Sequence, residues 1–371
     1  MVLNQVKNKK YTQTRMAHLF LYCFLILFCS KISSASFNPE DIQPLQGIRF
    51  HDRMGLIRKT FVITIPHFPH VYNPSIIPWG NEYLLAFRCD EASNTLKQLN
   101  NIRSAIGLVR LDKNFKPISA SQLLDTKNHC SEDPRLFATT NAVYMSYSHV
   151  HSFNPAATSI AVSKIDVTQQ KVVTCTDLRY NTAPVEKNWT PFVYKNPKGV
   201  EELYFVYKFY PHRILRLSPA IDGTTTIAYD HGENRKRQLK RWQKKWGKIR
   251  GGTPAIRIGD DYLCFFHSAF RYKQVYYYVF GAITFEASPP FRLKKISNSP
   301  ILFKEMYSIP VTPQHWFYPR HHIRVIFPSG IIQRKEDARD LLYVVCGEND
   351  VAIRCVVIDQ KLLLASLISV E

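Results

Sequence analysis

Ser131-Glu132-Asp133-Pro134-Arg135-Leu136-Phe137 is the stretch on which the reading of this chain turns. Two adjacent carboxylates, a proline and an arginine stand ahead of an apolar run, Val143 to Tyr147. Asp, Glu and Pro are poor strand formers, so packing alone does not select them there. The residues admit two readings. One is a turn with a satisfied ion pair; the other is the charged end of a buried strand, held in a cleft where carboxylates do acid–base work.

Recurrence separates the two. A short apolar strand, Tyr83 to Arg88, returns as Val143 to Ser148, Leu203 to Lys208, Tyr262 to His267 and Leu342 to Gly347. The starts are 60, 60, 59 and 80 residues apart. Ahead of the first four lies a polar residue followed by proline: Asn73-Pro74, Asp133-Pro134, Thr190-Pro191 and Thr253-Pro254. A period near 60 is long for common solenoids and suits a four-stranded blade with long loops. The chain is therefore expected to be an all-β, five-bladed β-propeller over residues 37–371, with the long last interval an insertion between 301 and 330. A β-sandwich does not explain the equal spacing. In a propeller the innermost strands converge on one axis, so Asn73, Asp133, Asn188 and Thr253 are expected to meet in one site.

Composition agrees with a strand-rich fold. Hydrophobic residues make up 45% and aromatics 13%, which excludes a disordered chain. The 22 prolines punctuate strands. A net charge of +20 points to anionic partners: phosphorylated substrates, acidic lipid surfaces or nucleic acid. Residues 1–36 read as a signal peptide or a type II membrane anchor. Lys7, Lys9, Lys10 and Arg15 precede the apolar run Met16 to Cys29, and Ser33-Ser34-Ala35-Ser36 supplies small residues for cleavage. The expected location is outside the cell or anchored in the secretory pathway. Cys89, Cys130, Cys175, Cys264, Cys346 and Cys355 show no CxxC spacing, so no metal site is expected; disulfide pairing stays open.

Between the third and fourth repeats, 235–250 reads RKRQLKRWQKKWGKIR, with nine basic residues of sixteen. Leu239, Trp242, Trp246 and Ile249 recur at helical spacing. Such a helix packs its Trp stripe on the propeller with its cations solvated, or lies on an anionic membrane or polyanion. Nucleic acid is the least favoured partner, since no recognition motif accompanies the patch.

Further motifs sit at the other strand starts and ends. Lys187-Asn188-Trp189 offers donors and a flat apolar face for a sugar, and Asn188-Trp189-Thr190 is formally a glycosylation acceptor. Arg250-Gly251-Gly252-Thr253-Pro254 allows a ligand close to the backbone. Gly347-Glu348-Asn349-Asp350 closes the last repeat with two carboxylates. His212-Arg213 and Tyr276-Tyr277-Tyr278 follow the third and fourth strands.

In order, these motifs resemble glycoside hydrolase family 130, the propellers of β-mannoside phosphorylases and related β-mannosidases, over roughly residues 71 to 357. The resemblance is carried by Asn73-Pro74-Ser75 with Arg88, Glu132-Asp133-Pro134-Arg135, Lys187-Asn188-Trp189, Gly251-Gly252-Thr253-Pro254 with His267, and Gly347 to Asp350. It implies transfer of a glycosyl unit, β-mannosyl, to or from phosphate or a sugar acceptor by inverting single displacement. Asp133 would be the proton donor, acting through a sugar hydroxyl. Asn73, Arg88, Glu132, Arg135, Lys187, Asn188, Trp189, Gly252, Thr253, Glu348 and Asp350 would bind substrate, an oligosaccharide or glycoconjugate. His267 matches a phosphate ligand, the run Tyr276 to Tyr278, Tyr276 first, would supply the tyrosine, and His212 with Arg213 stands where Tyr210-Pro211-His212-Arg213 departs from the family pattern. Inorganic phosphate is then the co-substrate and no other cofactor is implied. Related propellers in glycosyltransferase family 108 combine mannosyl transfer with phosphorolysis. A hydrolase of the same fold needs a carboxylate base, Glu348 or Asp350, about 6.5–9.5 Å from the acid. A propeller that only binds carbohydrate is the reading from another class. On the residues alone, an acid needs a raised pKa; Glu132 would raise that of Asp133 and Arg135 would lower it.

Overall fold

The computed structural model describes residues 36–68, 70–90, 104–180, 183–232, 236–310 and 323–371. The expected leader, 1–36, lies outside them apart from Ser36, and the expected insertion between 301 and 330 is described only in part. Pro39–Glu371 is one compact unit.

The strands form an all-β propeller arrangement of five sheets, and each apolar repeat strand is the second strand of its sheet. The first sheet runs Val71–Trp79, Glu82–Asp90, Ser104–Leu111 and Gln122–Leu123. The second runs Ser131–Ala138, Val143–Phe153, Ala156–Asp166 and Lys171–Asp177, and the third Thr190–Lys195, Glu201–Phe209, His212–Leu217 and Thr225–Asp230. The last joins Ile326–Glu336, Arg339–Glu348 and Ala352–Asp359 to Ile57–Ile63, so the chain's first described strand completes its final sheet. The expectation of four strands in every blade needs one correction. Four sheets have four strands, but the fourth in sequence has seven, because Leu367–Ser369 and Ile323–Arg324 add to it and its innermost strand is split.

Adjacent sheets enclose the cores. Leu84, Ala86, Met145 and Tyr147 pack between the first and second sheets, and Phe137, Ile160, Trp189 and Phe205 between the second and third. Each central strand is covered on both faces, which is why it reads as an unbroken apolar run and not as an alternation.

The helix Arg237–Trp246 packs its apolar face inward, as one of the sequence readings allowed. Leu239, Trp242 and Trp246 are buried, with Trp242 Nε1 donating to Ser268 Oγ at 2.8 Å and Trp246 Nε1 to the Pro44 carbonyl at 2.9 Å. The tryptophans are spent on the propeller and cannot enter a lipid layer; Arg237, Lys240, Arg241, Lys244, Lys245 and Lys248 stay exposed. Among the described residues no helix is long and apolar enough to cross a membrane, and all six cysteines are free.

Candidate active site

Strand register shows which residues are equivalent. Ser75 pairs with Ala86, Arg135 with Ser146, Thr190 with Val206 and Gly330 with Val345. Thr253 exchanges backbone contacts with Phe265 in the same way. Each partner is the fourth residue of its apolar repeat. The five positions facing the axis therefore hold Ser, Arg, Thr, Thr and Gly: four small residues leave room for one long side chain, that of Arg135.

Two positions earlier stand Asn73, Asp133, Asn188 and Gly251. The three non-glycine residues have left-handed backbones, with φ of 43°, 57° and 63°. Asn and Asp tolerate that conformation better than other side chains do. At Asn73-Pro74 and Asp133-Pro134 it accompanies a bulge in the register. The sequence expectation that grouped Asn73, Asp133, Asn188 and Thr253 is corrected here. Pro191 and Pro254 sit two residues further along their strands than Pro74 and Pro134, so Thr253 lies one layer deeper and Gly251 is the true counterpart. Buried Thr253 uses its hydroxyl to accept from the Phe265 amide at 3.0 Å.

Arg135 pins these strand starts together. Its fully buried guanidinium donates to the Gly252 carbonyl at 2.7 Å, the Asp133 carbonyl at 2.9 Å and Asn188 Oδ1 at 3.1 Å. It lies over the Phe327 ring at 5.9 Å. Gly251 and Gly252 permit the approach: a Cβ on Gly251 would meet the Asn188 carbonyl oxygen at 2.2 Å, and one on Gly252 the Phe265 carbonyl oxygen at 2.5 Å. Burial pulls the Arg135 pKa down to about 10, and nearby Asp133 only partly opposes this. The predicted substrate-binding role of Arg135 gives way to a scaffolding one, because main-chain carbonyls occupy its donors.

Asp133 sits at the mouth of this axis. Asn73 Nδ2 donates to its Oδ1 at 2.8 Å and Arg88 Nη1 to the same oxygen at 3.2 Å; no described residue donates to Oδ2. Arg88 also reaches Glu132 at 3.0 Å and Asp90 at 3.1 Å, and Lys187 Nζ reaches Glu132 at 2.7 Å. Tyr72 hydrogen-bonds Asp90 from below. Burial alone would raise the Asp133 pKa, but Arg88, Lys187, Arg135 and the Asn73 hydrogen bond outweigh it and hold the carboxyl below its usual range. The raised pKa expected of a resting acid is thus not found. Three nearby cations decide the balance that the sequence left between Glu132 and Arg135.

On the opposite flank His267 pairs across the sheet with Arg250. The His267 ring stacks near Tyr278, centroids 6.1 Å apart, and against Phe327 at 4.4 Å. It is buried, its Nδ1 has no hydrogen-bond partner, and burial, then Arg250 and Arg135, push its pKa down to about 3. Tyr278 is raised by burial and feels Asp350, Arg250 and Asp133. Arg250 is exposed and makes no ion pair with a described residue.

Several expected residues stand elsewhere. Trp189 is buried among Tyr180, Phe205 and Tyr207, with Nε1 donating to Glu186 at 3.2 Å, so it offers no face to a sugar. Both nitrogens of buried His212 face main-chain oxygens, Lys208 at 3.3 Å and Phe291 at 2.9 Å. Arg213 pairs with Asp230 at 2.6 Å. Tyr276 lies on the hairpin surface under the Arg271 guanidinium, and it is Tyr278 that meets His267. Glu348 is wholly buried, takes Arg354 Nε at 2.6 Å and the Ile309 amide at 3.2 Å, and is no candidate base. Partly exposed Asp350 remains one. Asp90 was missed by the sequence, and Arg250 was read only as part of its glycine motif; Tyr278 stood within the expected run Tyr276 to Tyr278, and alternation along Asp261–Tyr272 and its partner strand was the available signal for choosing it. Among the described residues no group of three His, Cys, Asp or Glu side chains is placed to hold a metal.

Comparison with known proteins points to one family. A family model, Glyco_hydro_130, described as beta-1,4-mannooligosaccharide phosphorylase, matches residues 50–366. No curated protein matches the sequence. Among solved structures, a beta-1,2-mannobiose phosphorylase from Listeria innocua aligns at TM-score 0.53 and 15% identity, over 89% of this chain and 97% of that one. A mannose phosphorylase from Leishmania mexicana, in complex with a phosphate ion, aligns at 0.52 and 14%, over 86% and 93%. A hypothetical protein from Leishmania major aligns at 0.55 and 13%, over 83% and 92%. At these identities the structural likeness speaks for the fold alone.

Proposed function

The chain belongs to glycoside hydrolase family 130, a family of β-mannoside phosphorylases and related hydrolases, and from that premise we propose that it moves a β-mannosyl unit to or from phosphate. In this reading inversion occurs in one displacement and Asp133 gives the proton to the departing glycosidic oxygen. The observation that carries it is the flank facing Asp133. There the Arg250 guanidinium, with no ion-pair partner among the described residues, the unsatisfied Nδ1 of His267 and Tyr278 form an anion site within electrostatic reach of the acid. Asn73 and Arg88 fix Oδ1 of Asp133 and leave Oδ2 for the substrate. Half-buried Lys187, paired with Glu132, borders the same cleft.

The test is turnover of β-1,2- and β-1,4-mannobiosides with and without inorganic phosphate, followed by mannose-1-phosphate release. Phosphate-dependent release, lost in Asp133→Asn and given a raised KM for phosphate by Arg250→Met, supports phosphorolysis. A specific observation favours a second reading. Asp350 is partly exposed and lies within electrostatic reach of Tyr278, so a carboxylate is at hand beside the anion flank. Turnover indifferent to phosphate and lost in Asp350→Asn would establish hydrolysis instead.

The substrate class in this reading is an oligosaccharide or glycoconjugate. The exposed cations of Arg237–Trp246 support contact with an anionic surface or polyanionic glycan through charge alone, since the Trp face is already used. Residues 1–36 support passage into the secretory pathway, as a cleaved signal or a retained anchor. Vesicle co-sedimentation at low and high salt, and N-terminal sequencing of secreted protein, test these two points.

A further inference from the structure

The outer half of the second sheet carries a thiol–imidazole–carboxylate line that the mannoside site does not use. Cys175 is half-buried on the edge strand Lys171–Asp177. Its Sγ lies 3.2 Å from the Tyr147 hydroxyl, which also meets Ser163 Oγ at 2.8 Å. His149, across the sheet, has its Nδ1 2.8 Å from Asp177 Oδ1, and Ser159 donates to that same oxygen at 2.9 Å. His151 Nε2 is 2.8 Å from the Ser159 hydroxyl. The His149 side chain is only 4% exposed, and its Nε2 has no conventional hydrogen-bond partner. Cys175 and Asp177 stand two residues apart on one face of that strand, and Tyr147, whose hydroxyl meets the thiol, sets its ring 4.9 Å from the His149 ring, centroid to centroid, so the imidazole lies beside the sulfur.

Charge follows that geometry. Asp177 is held low, first by its hydrogen bond from His149. Burial would lower the His149 pKa, but Asp177 and Cys175 raise it to about 9. Burial would raise the Cys175 thiol, but His149, Tyr147 and Ser163 bring it below its usual value. Burial pushes the other five described cysteines the opposite way, Cys89 and Cys130 to about 12. Cys175 alone combines access with an imidazolium neighbour, the microenvironment that makes a thiol nucleophilic.

We propose that Cys175 is a reactive thiolate, a modification site at which peroxides and soft electrophiles bond to sulfur. With hydrogen peroxide the sulfur attacks one oxygen, so an S–O bond forms as the O–O bond breaks. Sulfur is oxidised by two electrons to the sulfenic acid, and the departing hydroxide takes the His149 proton and leaves as water. With iodoacetamide an S–C bond forms and iodide departs. A line of contacts runs from the site to the strand that carries Asp133. Cys175 Sγ lies 3.5 Å from the Thr126 carbonyl oxygen, and Thr126 Oγ1 is 2.8 Å from Ser131 Oγ, the neighbour of Glu132.

The experiment is site-resolved alkylation of the full chain by iodoacetamide between pH 5.5 and 9, read by peptide mass spectrometry. Cys175 is expected to react at least about tenfold faster than the other described cysteines at pH 6.5, and to lose clearly less from pH 8.5 to 6.5 than the about fiftyfold of an ordinary thiol. Peroxide followed by dimedone should tag Cys175. His149→Gln, checked for fold by circular dichroism, should slow the pH 6.5 reaction by about tenfold or more. Should that variant fail to fold, the wild-type profile and the dimedone tag decide. An ordinary thiol profile at Cys175, absence of the tag, or an unchanged rate in folded His149→Gln would each overturn the proposal.

Discussion

Replacing Arg135 by methionine tests whether one buried cation holds the axial site together. Its three shortest bonds run to the Gly252 carbonyl, the Asp133 carbonyl and Asn188 Oδ1, at 2.7, 2.9 and 3.1 Å. Hydrogen bonds to a charged group contribute about 1.5–3 kcal/mol each, so the three together give about 5–9 kcal/mol. Burial works against the charge. The fall of its pKa to about 10 corresponds to about 3 kcal/mol against the charged form. The difference, about 2–6 kcal/mol, overlaps the 3–5 kcal/mol typical of breaking a buried ionic group away from its partners. Arg135→Met should therefore lower Tm by about 3–9 °C. Arg135→Lys keeps the charge but cannot present a planar fork to three acceptors, and should fall between the two. Differential scanning calorimetry of the three proteins at pH 7 makes the comparison. A methionine variant melting within about 2 °C of wild type would refute the reasoning.

Asp133→Asn keeps an oxygen for Asn73 and Arg88 but no acidic proton, so kcat on β-mannosides should drop by about 10²–10⁴ with the fold intact; a variant retaining a tenth of the activity would remove Asp133 from the acid role. Trp189→Ala should cost about 3–5 kcal/mol by leaving a cavity between the second and third sheets, while KM measured at low temperature stays unchanged. His267 and His212 are kept neutral to about 3 and 4, against 6.5 when unfolded. The unfolded chain therefore binds more protons below 6.5, and stability present above that value is lost as pH falls towards 3–4, at about 1.4 kcal/mol per pH unit for each histidine. His267→Gln should flatten the pH dependence of Tm by one such contribution, and an unchanged slope would count against a neutral buried imidazole.

Much of the fold was legible because a strand covered on both faces must be apolar along its length, and five such runs recur. Register was less legible. Proline marks a strand start only to within two residues: Pro74 and Pro134 sit at the bulge, whereas Pro191 and Pro254 follow the axis-facing threonine. The size of the fourth sheet was hidden for a different reason, since Leu367–Ser369 joins it from the far end of the chain. The clustering of Asn73, Arg88, Glu132 and Asp133 was legible because their polarity conflicts with strand packing. Trp189 and His212 misled because an aromatic or imidazole ring serves a core as readily as a ligand, and only neighbours such as Glu186 and Phe291 decide between the two. Arg135 was taken for a ligand contact because the sequence does not reveal that the other four axial positions are small.

The resting charge of Asp133 carries the final argument. A donor must hold a proton when the glycosidic oxygen departs, yet Arg88, Lys187 and Arg135 hold this carboxyl ionised despite its burial. Two events on substrate binding push the other way. A sugar over the cleft strips water from Oδ2, and an anion at Arg250 and His267 places negative charge beside the carboxylate; each favours the neutral form. Arg88, shared among Asp90, Glu132 and Asp133, keeps its other two partners while Asp133 takes up its proton. The acid is thus set by the ligands it serves and not in advance. The pH dependence of kcat/KM reports the free enzyme and that of kcat the loaded one. The limb at which activity is lost through ionisation of the acid should accordingly lie at higher pH in kcat than in kcat/KM, and should rise with phosphate concentration. Coincident limbs, unmoved by phosphate, would mean that the proton reaches the leaving oxygen from a group other than Asp133.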